Sequence, residues 1–121
     1  MTNALHVICH HEGISFRGLH PIDAKRGLYL SECWIVNGDP AQLKGGYLYF
    51  HESSSKRAEF AAQILDVKPH PHSSGTTGIA FEIQRIRGAG QLWRGSKPTQ
   101  KLPHGGIVAV DRLDVPMQVA A

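Results

Sequence analysis

The sequence predicts a small, mainly β (α+β) domain: five or six short, mostly antiparallel strands forming a curved sheet or partly open barrel, with one or two short helices closing an end. The chain has 121 residues, the usual size of one domain, so we expect a single domain over 1–121 with a frayed tail at 114–121. Its 13 Gly and 7 Pro favour many turns and disfavour a helical bundle. Several short segments alternate apolar and polar residues, or are rich in β-branched residues, as strands do.

Three strands are predicted in the first half of the chain, over residues 4–10, 28–36 and 47–53. The first is an apolar run rich in β-branched residues, and the second ends in Trp-Ile-Val. In the third strand, Leu48 and Phe50 share one face. Tyr47, Tyr49 and His51 share the other face.

The connections between these strands carry turn and helix signals. Residues 11–17 are typical of a turn. Residues 20–27 predict a helix of one or two turns, because Pro21 stands near its start and Gly27 at a possible C-cap. The Asn-Gly-Asp-Pro run at 37–40 predicts a turn.

The second half contains one clear strand and one ambiguous segment. Residues 78–88 have the cleanest alternation, and residues 106–113 predict the last strand. Residues 58–67 fit helical spacing and strand alternation equally, so both readings remain open. Residues 69–78 predict a flexible loop.

Positive charge is concentrated in one segment near the C-terminus. Between residues 83 and 110 there are five basic residues and no acidic one, a net charge of +5. These residues are Arg85, Arg87, Arg94, Lys97 and Lys101. Arginines and lysines around Trp93 are suited to a phosphate backbone and a stacked base. The alternative is a solvated basic loop.

The stretch from residue 34 to 67 resembles the middle of PUA-like domains, a superfamily that includes the EVE and ASCH groups, and EVE domains in particular. The resemblance rests on Trp34, Val36, Asn37, Lys44, Gly45, Phe50, His51, Ser53, Ala61, Ala62 and Val67. It implies a pseudo-barrel that binds RNA or a modified base in DNA. It also implies a strand over residues 58–67.

Several residues are candidates for a base-binding pocket. An aromatic face can stack on a flipped base, and Asn, Ser or His can hydrogen-bond its polar edge. The candidates are Trp34, Asn37, Tyr49, His51, Ser53 and Trp93. Alternatively, Trp34 is a core residue whose indole N–H is satisfied within the protein. Trp93 could instead plug one end of the barrel.

No metal site or cofactor is expected. The chain contains eight His, including the runs Cys9-His10-His11 and His70-x-His72, but zinc sites usually show paired ligands such as C-x₂-C, which are absent. There is also no G-x-S-x-G motif and no dinucleotide-binding pattern.

The leading hypothesis is a module that binds RNA or DNA through a basic face and recognises a base. The alternatives are a small enzyme that acts on a nucleotide or modified nucleoside in the same cleft, and a structural or oligomerising β domain. No apolar run approaches the ~20 residues of a membrane helix, so no membrane partner is expected. The first residues show no export signal, so a cytoplasmic location is expected. Oligomeric state stays open.

Overall fold

The computed structural model describes residues 2–12, 15–16, 18–34, 39–71, 77–99 and 104–110. Nine strands lie in these residues. They are β1 (Asn3–Ile8), β2 (His11–Glu12), β3 (Ser15–Phe16), β4 (Leu19–Asp23), β5 (Leu28–Trp34), β6 (Tyr47–His51), β7 (Phe60–Pro71), β8 (Thr77–Ile86) and β9 (His104–Ala109).

Seven strands form one sheet with the order β4-β5-β8-β7-β6-β1-β9, while β2 and β3 form a separate two-stranded ladder. All neighbours in the large sheet are antiparallel except β1 and β6, which are parallel. A mainly β fold with mostly antiparallel strands is therefore confirmed. Within the described residues the sheet is open rather than a closed barrel, because β4 and β9 form its two edges.

The helical content predicted at 20–27 is smaller than expected. Leu19–Asp23 is a strand because it pairs with β5, and only Ala24–Arg26 forms a 3-10 turn. Gly27 ends this turn in the left-handed conformation at φ 72, as its C-cap position predicts. A second 3-10 turn spans Pro40–Leu43. Among the described residues, no helix is long and apolar enough to cross a membrane.

The ambiguous segment at 58–67 belongs mostly to a strand. Strand β7 begins at Phe60 and pairs with β6 on one side and β8 on the other. Its pairing with β8 continues to Pro71 opposite Thr77, so the loop predicted at 69–78 begins later than expected. Pairing with β6 and β8 holds this segment as a strand, whereas an isolated helix of this length is only marginally stable in water.

Around β1 and β6, both faces of the sheet are covered by other parts of the chain. One face contains the larger core, whose fully buried members include Leu48, Phe50 and Phe81. The opposite face contains Tyr47 and Tyr49. The predicted division of β6 into two faces is confirmed, but both faces are covered.

Other apolar residues of the strands differ in their burial. Ile83 is fully buried, whereas Ile79 and Val108 are only partly buried beside the two cores.

Candidate functional site

A pair of histidines is buried on the second face of the sheet. His6 on β1 and His51 on β6 are 1% and 0% exposed. The parallel register places His6 beside Tyr49 and Ile8 beside His51. His6 Nδ1 lies 2.7 Å from His51 Nε2, and the His6 ring stacks on the Tyr49 ring with 4.7 Å between centroids.

The hydrogen bonds fix which nitrogen of each ring carries the proton. His51 Nδ1 lies 2.8 Å from the carbonyl oxygen of Lys56. A carbonyl only accepts, so His51 Nδ1 donates and its Nε2 is the unprotonated nitrogen of the neutral ring. His6 Nδ1 must then donate to His51 Nε2, which leaves His6 Nε2 without a proton.

Both rings are held in the neutral form. Burial, followed by the nearby His51 and Arg94, lowers the pKa of His6 to about 3. Burial also lowers the pKa of His51, although its bond to the Lys56 carbonyl and the charge of Glu59 oppose that effect. The pair is therefore uncharged at neutral pH, because a charge in a buried site is unfavourable.

Trp93 covers this pair. Its ring meets the His51 ring edge-on at 5.1 Å and lies 6.0 Å from the His6 ring. The indole N–H donates to the carbonyl of Ser96 at 3.0 Å. Trp93 thus packs against the histidine pair on one face of an open sheet.

The segment 88–99 carries Trp93 and has no regular secondary structure. Its backbone is nevertheless held at two points, by the chain just before β7 and by β9. The Ala58 N–H donates to the Gln91 carbonyl at 2.9 Å, and the Ser96 N–H donates to the Gly105 carbonyl at 2.8 Å. The histidine pair is consequently closed off by a fixed segment.

The structure brings Tyr49, His51 and Trp93 together around His6, but it separates Trp34 from them. Trp34 packs in the larger core beside Phe50, and its indole N–H donates to Ser31 Oγ at 2.9 Å. Tyr49 and His51 point to the opposite face of the sheet, so Trp34 cannot share a pocket with them.

Ser53 and Asn37 are the remaining candidates for the predicted pocket. Ser53 follows β6 in a turn, where its Oγ lies 3.0 Å from that of Ser55. Asn37 lies outside the described residues.

A basic groove lies at the end of the sheet where the first 3-10 turn, the start of β7 and the end of β8 meet. Its volume is about 610 Å³. The basic groove is lined by Ala24, Lys25, Arg26, Gly27, Tyr29, Glu59, Phe60, Ala61, Arg85, Ile86, Arg87, Gly88 and Ala89.

Four cations and one carboxylate line the basic groove. Lys25 and Arg26 come from the 3-10 turn, and Arg85 and Arg87 come from the end of β8 and the residue after it. All four are exposed. Glu59 is the single acid among the lining residues. The groove therefore has a net positive charge and favours anions.

The apolar floor of the basic groove positions one of these cations. The Arg85 guanidinium carbon lies 5.2 Å from the centroid of the Phe60 ring, a favourable cation–π geometry. The partly buried Tyr29 ring meets the Phe60 ring edge-on at 6.5 Å. Its exposed part lines the groove, so an aromatic side chain lies beside the cations.

The basic segment predicted from the sequence divides between two places. Arg85 and Arg87 line the basic groove, but Arg94 acts on His6, which is three strands away from β8 in the sheet order. Three strand spacings are roughly 14 Å. Lys97 is exposed on segment 88–99, and Lys101 lies outside the described residues.

Sequence reasoning missed Lys25 and Arg26. Both precede Gly27, and the Lys-Arg-Gly run by itself predicts only the end of a short helix. A backbone hydrogen bond from the Arg85 N–H to the Gly27 carbonyl, at 2.8 Å, brings them to the arginines of β8. This long-range pairing has no local signal in the sequence.

In the part of the chain that the structure describes, no group of three or more His, Cys, Asp or Glu side chains is arranged to hold a metal ion. Comparisons with protein-family models, curated proteins and solved structures gave no match to this chain.

Proposed function

We propose that this protein is a nucleic-acid-binding module that holds a phosphate backbone in the basic groove. The observation that carries the proposal is the convergence of Lys25, Arg26, Arg85 and Arg87 from two separate elements on one concave site. If the basic residues only formed a solvated loop, there would be no reason for cations from distant parts of the sequence to lie around one site.

The resemblance to PUA-like domains adds support, because such domains bind RNA or a modified base in DNA. The recognition of a base is assigned here to the basic groove rather than to Trp34. Trp34 and Tyr49 are 9% and 0% exposed, and stacking requires an accessible ring face.

The proposal predicts a strong dependence of binding on salt. Each phosphate contact to a single strand contributes about −0.7 to the slope of log K against log salt, so four contacts give a slope of about −3. The measurement is fluorescence anisotropy with labelled 12-nucleotide RNA and DNA at several salt concentrations.

Two matched lysine variants test the location of the site. Lys25→Gln removes a cation from the basic groove, whereas Lys44→Gln removes one that lies 3.7 Å from Asp66, away from the groove. We expect Lys25→Gln to weaken binding to all sequences alike and to reduce the slope by about 0.7. Lys44→Gln should change neither the affinity nor the salt slope.

An Arg85→Gln/Arg87→Gln double variant should reduce the slope by about 1.4. The double variant Arg94→Gln/Lys97→Gln tests the cations that lie outside the groove lining. If the second pair has the larger effect, the groove is not the binding site. If RNA and DNA show no salt-dependent binding, the protein is not a nucleic-acid-binding module.

A further inference from the structure

We propose that the basic groove is specific for single-stranded nucleic acid and holds an unpaired base against Tyr29. This inference rests on the proposed function, and it names the class of nucleic acid that the same site takes. Three features of the groove support it.

The first feature is shape. The cations surround a concave site of about 610 Å³, a volume typical of sites that enclose a small ligand. A duplex presents its phosphates on a convex surface, so it would contact only the rim of such a site. A flexible single strand can place a nucleotide inside it.

The second feature is the aromatic side chain in the groove wall. Tyr29 is partly buried, and Phe60 supports its ring from within the core. A base in a duplex already stacks on its neighbours, whereas an unpaired base has a free face. Stacking on an aromatic side chain is tolerant of sequence.

The third feature is Glu59. A carboxylate among four cations repels phosphate at its own position, but it accepts hydrogen bonds from base N–H groups such as cytosine N4. In a duplex many of these N–H groups are used in base pairing. The mixture of cations, one acid and one aromatic ring thus matches a whole unpaired nucleotide rather than phosphate alone.

The extent of the basic surface also fits a strand longer than one nucleotide. Arg57 donates from Nη1 to the carbonyl of Gly90 at 2.9 Å, and Gly90 follows Ala89 in the groove lining. This places a fifth cation next to the groove, where an adjacent phosphate of the same strand can reach it.

The test compares a labelled 12-nucleotide single strand with its duplex at equal salt, using the full chain. We expect the single strand to bind at least tenfold more tightly. Tyr29→Leu, which keeps an apolar side chain against Phe60, should weaken single-strand binding roughly 5- to 150-fold, the equivalent of one lost base stack. The salt slope should not change, and the control Tyr29→Phe should bind like the unmodified protein.

A photochemical experiment on the unmodified protein removes the dependence on a folded variant. A single strand containing 5-iodouridine should crosslink to the peptide that contains Tyr29, and the same strand in a duplex should not.

Equal binding of duplex and single strand, or single-strand crosslinks only to other peptides, would overturn this inference. If such binding remained salt-dependent and sensitive to Lys25→Gln, the proposed function would stand. Absence of binding to either probe would overturn both.

Discussion

His6 and His51 are polar residues in an environment that suits apolar ones. The contact between the two rings and the bond to the Lys56 carbonyl give hydrogen-bond partners to His6 Nδ1 and to both nitrogens of His51. The arrangement works only while both rings are neutral. A proton on His51 Nε2 would face the Nδ1–H of His6, and two donors would then point at each other.

These two buried histidines predict that the protein is less stable at acidic pH. The native pKa of His6 is about 3, whereas its ordinary value is 6.5. Below pH 6.5 the unfolded chain binds a proton that the native protein does not bind until about pH 3. The free energy of unfolding should thus fall by about 1.4 kcal/mol per pH unit between these values for His6. His51 contributes in the same direction, because its pKa is also lowered.

The measurement is urea unfolding at pH 7.5, 5.5 and 4.5. His6→Phe keeps an aromatic ring against Tyr49 and removes one titrating group, so its stability should fall less with pH. His6→Phe should also lower the free energy of unfolding by about 1–3 kcal/mol at pH 7.5, because His51 Nε2 loses its hydrogen-bond donor. His10→Gln at an exposed position should retain the full dependence. An unchanged pH dependence in His6→Phe would show that His6 does not cause it.

Among the elements, segment 88–99 shows how a stretch without regular structure is fixed. It approaches β9 so closely that a Cβ on Gly95 would lie 2.1 Å from the Gly105 carbonyl oxygen. A Cβ on Gly105 would similarly meet the Arg94 carbonyl oxygen at 2.4 Å. Only glycine permits this contact, which keeps Trp93 over the histidine pair.

Gly95→Ala should separate segment 88–99 from β9 around Gly95. Gly90→Ala is a matched control, because Gly95 and Gly90 both have positive φ, at +107 and +128, but only Gly95 lacks space for a Cβ. Backbone strain alone costs about 1–3 kcal/mol, and both variants share it. We expect Gly95→Ala to lose more stability in urea unfolding and to expose the amides of 93–96 to hydrogen exchange. Equal effects of the two variants would mean that the close approach contributes nothing.

For the whole molecule, the core between the strands is the main source of stability. Phe50 and Phe60 stack at 4.8 Å, and Phe81 is fully buried in the same core. The sheet joins strands that are distant in sequence, such as β1 with β6 and β9. These long-range pairings make burial of the core and formation of the sheet one cooperative event.

Phe81→Ala should lower the free energy of unfolding by ~3–5 kcal/mol, the usual cost of removing a large buried aromatic side chain. Ile22→Ala is the control, because Ile22 is 54% exposed, and its effect should stay within about 0.5 kcal/mol. Chemical denaturation followed by circular dichroism measures both. A loss below about 1 kcal/mol for Phe81→Ala would contradict its place in the core.

Local patterns in the sequence were enough to predict a mainly β domain, most of its strands and the two faces of β6. Alternation reports directly which side chains share a face, as Leu48 and Phe50 do. The positive φ of Gly27 likewise follows from a local turn. Residues 58–67 could not be assigned by periodicity, since the choice depended on pairing with β6 and β8.

Local sequence patterns therefore define the β class, the alternation of the strands and the presence of basic residues around Arg85 and Arg87. Which residues meet depends on how distant parts of the chain pair in the folded protein. The tertiary structure placed Trp34 in the core, buried His6 against His51, and brought Lys25 and Arg26 to the arginines of β8. The physical reason is that strand order and register are set by hydrogen bonds between distant segments. A shift of one residue in register would change the face of every side chain on a strand.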